Sequence, residues 1–335
     1  MRFNREILSA VLRDMDTESN ARAALFSARR KEIYAKIPRI CEIDRLLSNT
    51  AAAILRTALQ NGTDPTEAIE QLRQKNLKLQ EERRDLLLQF HYPASYLDET
   101  PICSRCSDTG YIGTQPCECL KRRYTTRLTA ELSTILPIRE QNFEHFQMEY
   151  YPAVPDSRLG ISPRENMEFN RDTCYKYAVD FSLQSPNLLL YGSTGLGKTF
   201  LSSCIAKIVS EHGFSVAYDT SIRIFSTYES VKFSSADAAE AARRIRKYEK
   251  CDLLIIDDLG TEMLTAFTIS TLYGLLEERL MRHGPMIINT NLLPASFEKR
   301  YSPAIASRLN GEFIPLRFTG EDIRTIKRRK EQASL

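Results

Sequence analysis

The sequence predicts an α/β fold over residues 165–335: a parallel, doubly wound five-stranded sheet flanked by helices, preceded by a helical region and a small cysteine-bearing segment. Three observations predict it. Five short apolar runs, at 188–191, 216–219, 253–257, 286–290 and 313–318, alternate with helix-length stretches, the pattern of strands buried on both faces. A glycine-rich stretch, Gly192 to Gly197, lies between the first run and an amphipathic segment, where a strand turns into a helix. Residues 1–92 contain a single glycine, Gly62, and apolar residues at three and four spacing, as in Ile7, Leu8, Val11 and Leu12.

Taken in order, residues 1–100 read as a helical region, broken at Asn61–Gly62–Thr63 with Pro65. Leu72, Leu79 and Leu86 recur every seven residues, with Ile69, Asn76 and Arg83 at companion positions. This is compatible with a short coiled coil at 66–90 or with a helical hairpin packed on its own neighbour. Residues 101–120 carry four clustered cysteines, and 121–164 read as a linker, rich in Pro and Tyr from Tyr150 to Pro163.

The 335 residues, 42% hydrophobic and 27% charged, suffice for about two domains. No apolar run approaches the ~18 residues of a membrane span, and the N-terminal residues are charged where a signal peptide needs its apolar stretch. A cytoplasmic protein with no membrane partner is expected. A net charge of +3 does not by itself indicate nucleic-acid binding. The basic clusters at Lys121, Arg122, Arg123 and Arg127, and at Arg324, Lys327, Arg328, Arg329 and Lys330, are either solvated faces or local contact patches. The scattered Cys41, Cys174, Cys204 and Cys251 are expected to be buried small hydrophobes.

Gly192–Ser193–Thr194–Gly195–Leu196–Gly197–Lys198–Thr199 matches the phosphate-loop pattern at every fixed position. Glycines let the backbone wrap an anion with its N–H groups inward, and the following helix adds the positive end of its dipole. Lys198 is expected at the β- and γ-phosphates of ATP and the Thr199 hydroxyl on Mg²⁺. The run Leu253–Ile256 ends in Asp257 and Asp258. One carboxylate there can hold Mg²⁺ and the second can orient the attacking water; we assign these to Asp257 and Asp258 in turn.

The order of GSTGLGKT, LLIIDDLGTE, MIINTN, IASRL and GEDIR resembles the AAA+ ATPases of the DnaC/DnaI-type bacterial helicase loaders over about residues 165–330. The resemblance implies three further roles. Asn291 would sense the γ-phosphate, with Asn289 as a nearby competitor. Arg308 would act as an arginine finger on a neighbouring subunit's nucleotide, and Arg324 would contact the nucleotide of its own subunit. Asp258 stands where the wider class has Glu, which implies slow hydrolysis. The chain stops too soon after Arg324 to build a full helical lid, as in the loader branch.

Cys103, Cys106, Cys117 and Cys119 form a C-x2-C and a C-x-C pair separated by ten residues. Four thiolates on two turns can close a tetrahedral structural Zn²⁺ site, a redox pair and an iron–sulfur cluster being the other readings. His91 is a substitute ligand for one of the C-x-C cysteines in this reading. Between 220 and 250, Arg223, Phe225, Tyr228, Lys232, Phe233, Arg243, Arg244, Arg246 and Lys247 interleave aromatics with cations. They suit single-stranded DNA, but Ile224, Phe225 and Tyr228 also fit a helix core.

The expected protein is an ATP-dependent loader of a replicative hexameric helicase of the DnaB type, contacting single-stranded DNA and assembling as a homo-oligomer. A transposition helper ATPase of the IstB type shares the ATPase motifs, and a zinc-bearing nucleotide-binding adaptor with little hydrolysis is a third reading.

Overall fold

The computed structural model describes residues 3–49, 66–133, 142–155, 160–233 and 238–333. The expected break at Asn61–Pro65 lies outside them. The chain divides into two compact units, Ala10–Leu120 and a second formed by Met1–Ser9 with Lys121–Leu335.

The first unit is helical. Its long helix α1 (Arg5–Lys36) is followed after one residue by α2 (Pro38–Ser48), whose first position is the proline that a helix tolerates there. Helix α3 (Thr66–Gln89) packs against α2, and Ile33, Ile37, Ile40, Leu87 and Leu97 form the core. Arg83, one of the polar heptad companions, pairs with Asp44 of α2 at 2.8 Å and donates to the Leu97 carbonyl. Of the heptad leucines, Leu86 packs against this core and Leu79 is buried. Cys41 of α2 is exposed, contrary to expectation, because it faces away from the side of α2 that buries Ile40 and Ile43; Cys174, Cys204 and Cys251 are buried as expected. A two-stranded antiparallel hairpin, β1 (Tyr111–Ile112) and β2 (Gln115–Pro116), completes the unit.

The second unit contains α4 (Glu118–Ser133), which starts at its boundary, and α5 (Pro163–Val179), opened by a capping box between Ser162 and Glu165. The five predicted strands follow: β3 (Asn187–Tyr191), β4 (Val216–Thr220), β5 (Leu253–Leu259), β6 (Met286–Thr290) and β7 (Phe313–Arg317). They pair in the order β4-β5-β6-β3-β7, all parallel. Alternate residues serve two cores. Leu188, Leu190, Tyr218, Ile255 and Ile287 belong to one, and Leu189, Ala217, Leu254, Ile256 and Ile288 to the other. That is why the strands read as unbroken apolar runs. Pro315, which has no N–H, sits in β7 at the sheet edge, where its missing donor is tolerated.

Between the strands lie α6 (Lys198–Glu211), α7 (Ser221–Lys232), α8 (Ala238–Lys250), α9 (Ala266–Met281), α10 (Phe297–Arg300) and α11 (Pro303–Gly311); α12 (Ile323–Ala333) follows β7. The segment 121–164, read as a linker, sends Leu132, Phe143, Phe146 and Tyr151 into the first of the two cores. Among the described residues, no helix is long and apolar enough to cross a membrane.

One buried cation holds the starting edge of the sheet. Arg279 of α9 is 1% exposed and donates to the carbonyls of Cys251 (2.5 Å), Pro285 (2.7 Å) and Glu249 (3.3 Å), the residues just before β5 and β6 and at the end of α8. A Cβ on Gly284 would lie 2.7 Å from its guanidinium carbon, so only glycine leaves it room. Arg279→Leu would leave these carbonyls buried without donors. We expect a loss of about 3 kcal/mol in urea unfolding, since each orphaned group costs about 1–3 kcal/mol. A loss below about 0.5 kcal/mol would contradict this account.

Candidate nucleotide site and cysteine centre

The loop between β3 and α6 curves through left-handed glycines. Gly197, at φ +88°, is the N-cap of α6, so the first free N–H groups of that helix open onto the loop. Gly195, at φ +73°, lies so close to Asp322 that a Cβ would meet its carboxylate at 2.0 Å. The N–H of Ile323 donates to the Gly195 carbonyl at 3.1 Å, which docks the start of α12 on the loop. On the other side, Tyr151 Oη donates to the Leu196 carbonyl at 3.0 Å, and Phe146 packs against Tyr151 and Phe200.

These segments enclose an open cavity of about 450 Å³, lined by His145–Gln147, Tyr150, Tyr151, Thr194–Phe200, Asp258, Thr261, Asn291, Ile323, Arg324 and Lys327. The cavity brings together most of the predicted site: Thr194 to Thr199, Asp258, Asn291 and Arg324. Gly192 and Ser193, also predicted, lie outside the lining, and their carbonyls both accept from Lys198 Nζ at 2.7 Å. The third donor of Lys198 goes to Asn291 Oδ1, also at 2.7 Å. Burial lowers the Lys198 ammonium to about 8, against the raising effect of the Asp258 and Asp257 charges.

Asp257 stands one step behind, 4% exposed at the end of the central run. Its Oδ1 accepts from Thr199 Oγ1 (3.2 Å), Asn289 Nδ2 (2.8 Å) and the Asp258 N–H (3.0 Å), and its Oδ2 from Tyr218 Oη (2.6 Å). The Thr199 hydroxyl beside this carboxylate is a hard-oxygen donor set that fits a divalent cation. Asn289 is fully buried and holds Asp257, whereas Asn291 faces the cavity, so the two asparagines have separate surroundings. Neither the buried Tyr218 nor the Phe146–Tyr151 wall was expected from the sequence, because their chain positions give no motif.

Two adjacent residues on a regular strand point to opposite faces. Here β5 shifts register against β6 between Ile256 and Leu259, and Asp258 adopts φ +53°, which turns its side chain into the cavity. Burial, then the charge of Asp257, raises the Asp258 carboxyl above its ordinary value.

Arg308 lies outside the cavity lining. It pairs with Glu277, donates to Tyr273 Oη at 3.0 Å and stacks over the Tyr273 ring at 4.6 Å. Of the aromatics between 220 and 250, Phe225 is buried and Tyr228 packs against the same core, while Phe233 is 73% exposed with Lys232 over its ring. Phe225 is therefore a core residue; the exposed residues of this segment include Arg223, Lys232, Arg243, Arg244 and Arg246 together with Ile222, Phe233 and Glu240, which pairs with Arg243 and Arg244.

In the other unit, Cys103, Cys106, Cys117 and Cys119 converge, their sulfurs all within 4.8 Å of one another. Cys103 and Cys117 lie 3.8 Å apart, and Cys106 and Cys119 3.4 Å apart. A tetrahedron of sulfurs at 2.3 Å from a metal has edges of about 3.8 Å, so the donor set fits a tetrahedral soft ion with no position left open. His91 is not part of the group. Asp108 shapes the first turn by accepting the N–H groups of Ile102 (3.0 Å) and Cys103 (2.8 Å), and it pairs with Arg22 of α1. The hairpin returns Cys117, whose N–H donates to the Gly110 carbonyl at 2.8 Å. Hydrogen bonds from the Cys106 and Arg105 backbone lower the Cys103 thiol to about 7, toward the thiolate that metals bind. We expect one equivalent of zinc per purified chain, lost in Cys103→Ser while ATP binding survives. Unchanged zinc by elemental analysis would refute the site.

Residues 172–308 match the model of the family described as IstB-like ATP binding protein. An ATP-binding protein in an insertion sequence of Mycobacterium tuberculosis is 26% identical over 58% of this chain and 71% of its own length. The chromosomal replication initiator DnaA of Campylobacter fetus subsp. fetus is 28% identical over 38% of this chain and 29% of its own length. Among solved structures, the DnaC helicase loader aligns with 55% of this chain and 99% of its own at 16% identity, with a TM-score of 0.45. The residues similar to this family run from α5 through the phosphate loop, both carboxylates and β6 to Arg308.

Proposed function

We propose that the chain is an ATP-dependent loader of a replicative DNA helicase. In this reading residues 1–120 grip a hexameric helicase of the DnaB type, residues 165–335 bind and hydrolyse ATP with Mg²⁺, and the cationic face of α7 and α8 contacts single-stranded DNA. The observation that carries it is the unit Ala10–Leu120, which has its own core and its own cysteine-built hairpin and lies wholly outside the family match. A compact unit of this kind, with a core of its own, would let an ATPase hold a second protein while its other unit cycles. A zinc ion held by the four cysteines would stiffen the unit and take no part in the ATPase chemistry.

The chain's residues suggest how ATP is handled. Lys198 is held by two loop carbonyls and Asn291. The β- and γ-phosphates would replace these neutral partners with charged ones, and the exchange would free Asn291 to donate its amide to the γ-phosphate. Thr199 and Asp257 would hold Mg²⁺, which when bound offsets phosphate charge and polarises the γ-phosphoryl group. Asp258, turned into the cavity, would orient the water. Arg324 reaches the same cavity from α12. Arg308 would serve a neighbouring subunit's nucleotide in a homo-oligomer, after leaving Glu277.

A transposition helper ATPase is the second reading, supported by the insertion-sequence relative. Pull-down with the full-length chain separates the two. A loader retains a purified DnaB-type hexamer when ATP is present, with crosslinks falling in residues 10–120. Retention of a transposase on duplex DNA, and of no helicase, would overturn the proposal.

The Lys198 ammonium gives a pH signature. Below about pH 8 it is charged before ATP arrives; above that, binding must take up a proton, so affinity falls by about tenfold per pH unit as pH rises. Fluorescent-nucleotide titrations from pH 7.5 to 9.5 check this, and Lys198→Arg, always charged, should flatten the slope. An unchanged affinity at pH 9.5 in the native chain would contradict the assignment.

A further inference from the structure

The turn that follows β5 contains a buried carboxylate that the phosphate chemistry does not use. Glu262 lies in a loop and is nonetheless 4% exposed. It accepts from Ser221 Oγ (2.8 Å), the Gly260 N–H (2.8 Å) and Tyr301 Oη (2.6 Å), and the Arg300 guanidinium stands 3.9 Å away. These donors come from the start of α7, the turn itself and the end of α10. Removing a carboxylate from water costs several kcal/mol, and a convergent set of donors is needed to offset it.

The groups that hold Glu262 also hold Asp258. Ser221 Oγ lies 3.1 Å from the Asp258 carbonyl as well as 2.8 Å from Glu262, and its single proton can serve only one of them at a time. Thr261 donates to the same Asp258 carbonyl through its N–H (3.2 Å) and its Oγ1 (2.8 Å). Arg300, beside the Glu262 carboxylate, donates to the carbonyls of Gly260 (2.9 Å) and Glu262 (2.8 Å). The turn from 258 to 262 is thus closed around one carboxylate.

That closure bears on the cavity through the Asp258 backbone. At φ +53° Asp258 is in the left-handed region, which costs an L-residue about 1 kcal/mol and persists only where neighbours over-determine it. In an ordinary strand conformation Asp258 would turn its side chain away from the face that Asp257 uses.

We propose that Glu262 is the positioning residue for Asp258: its buried carboxylate locks the turn that aims Asp258 into the nucleotide cavity. The inference rests on the reading of Asp258 as the water-orienting group. Glu262 itself lies outside the cavity lining and acts only through the turn. Replacing it with Gln keeps the shape, but the amide nitrogen offers a donor to groups that are themselves donors.

The test uses the full-length chain with Glu262→Gln, Asp258→Asn and the double variant, reading steady-state phosphate release, binding of a fluorescent ATP analogue, and melting temperature. Glu262→Gln should lower kcat by about 10- to 100-fold, the scale of a ~1 Å misplacement, with nucleotide Kd within about twofold. The double variant should be no slower than Asp258→Asn alone, because both changes remove the same function. Tyr301→Phe removes one donor and leaves the carboxylate, and should lower kcat by about two- to fivefold in the same direction if Glu262→Gln does not fold.

Native turnover in Glu262→Gln beside a dead Asp258→Asn would overturn the inference alone. A double variant about tenfold slower than Asp258→Asn would also overturn it, since Glu262 would then act independently. A parallel loss of binding, turnover and melting temperature would make Glu262 a structural residue only. Native turnover in Asp258→Asn would remove the underlying reading of Asp258, whatever Glu262 does.

Discussion

The catalytic unit is organised around one buried carboxylate. Asp257 takes hydrogen bonds from Thr199 at the start of α6, Tyr218 of β4, Asn289 of β6 and its own neighbour's backbone. A charged group this far from water would be costly alone, and four donors from different elements offset the cost. The same bonds fix β4, β5 and β6 against the helix that carries the phosphate loop. Geometry at the nucleotide and integrity of the sheet's working edge therefore depend on the same atoms. Asn289 and Tyr218 do not line the cavity, yet they fix where the Asp257 carboxylate sits.

The phosphate loop is clasped from chain segments far to either side. Tyr151, about forty residues before, holds the Leu196 carbonyl, and Asp322 and Ile323, well over a hundred residues after, fill the space beside Gly195. The glycines have two uses as a result. They shape the backbone for phosphate, and they leave room for a tyrosine ring and a carboxylate that pack onto the loop. Lys198, bonded to carbonyls of its own loop, is held in place by neutral acceptors that a charged ligand can displace.

The helical unit is secured by different means. Its core of Ile33, Ile37, Ile40, Leu87 and Leu97 is small for its length, and small cores gain from covalent or metal crosslinks. Four cysteines on two turns converge with a geometry that fits such a crosslink. Asp108 extends it to α1, because a single carboxylate both closes the first cysteine turn and pairs with Arg22.

Local pattern alone determined the five strands, the loop-to-helix turn and the paired cysteines, and it singled out Lys198, Thr199, Asp257 and Asp258 as candidate site residues. Each is written in contiguous residues: an apolar run for a strand buried on both faces, glycine spacing for an anion loop, cysteine spacing for a metal knot. Only the tertiary structure decided the rest. It separated Asn289, buried on Asp257, from Asn291, which faces the cavity, although the two stand two residues apart on one strand end. It made Phe225 core and left Phe233 exposed, and it turned 121–164 from an expected linker into a contributor of core residues. It put Asp258 in a left-handed turn closed around Glu262, which turns its side chain into the cavity. The physical reason is the same throughout: a residue's environment is set by partners tens to hundreds of positions away, and no local pattern in the chain encodes those distances.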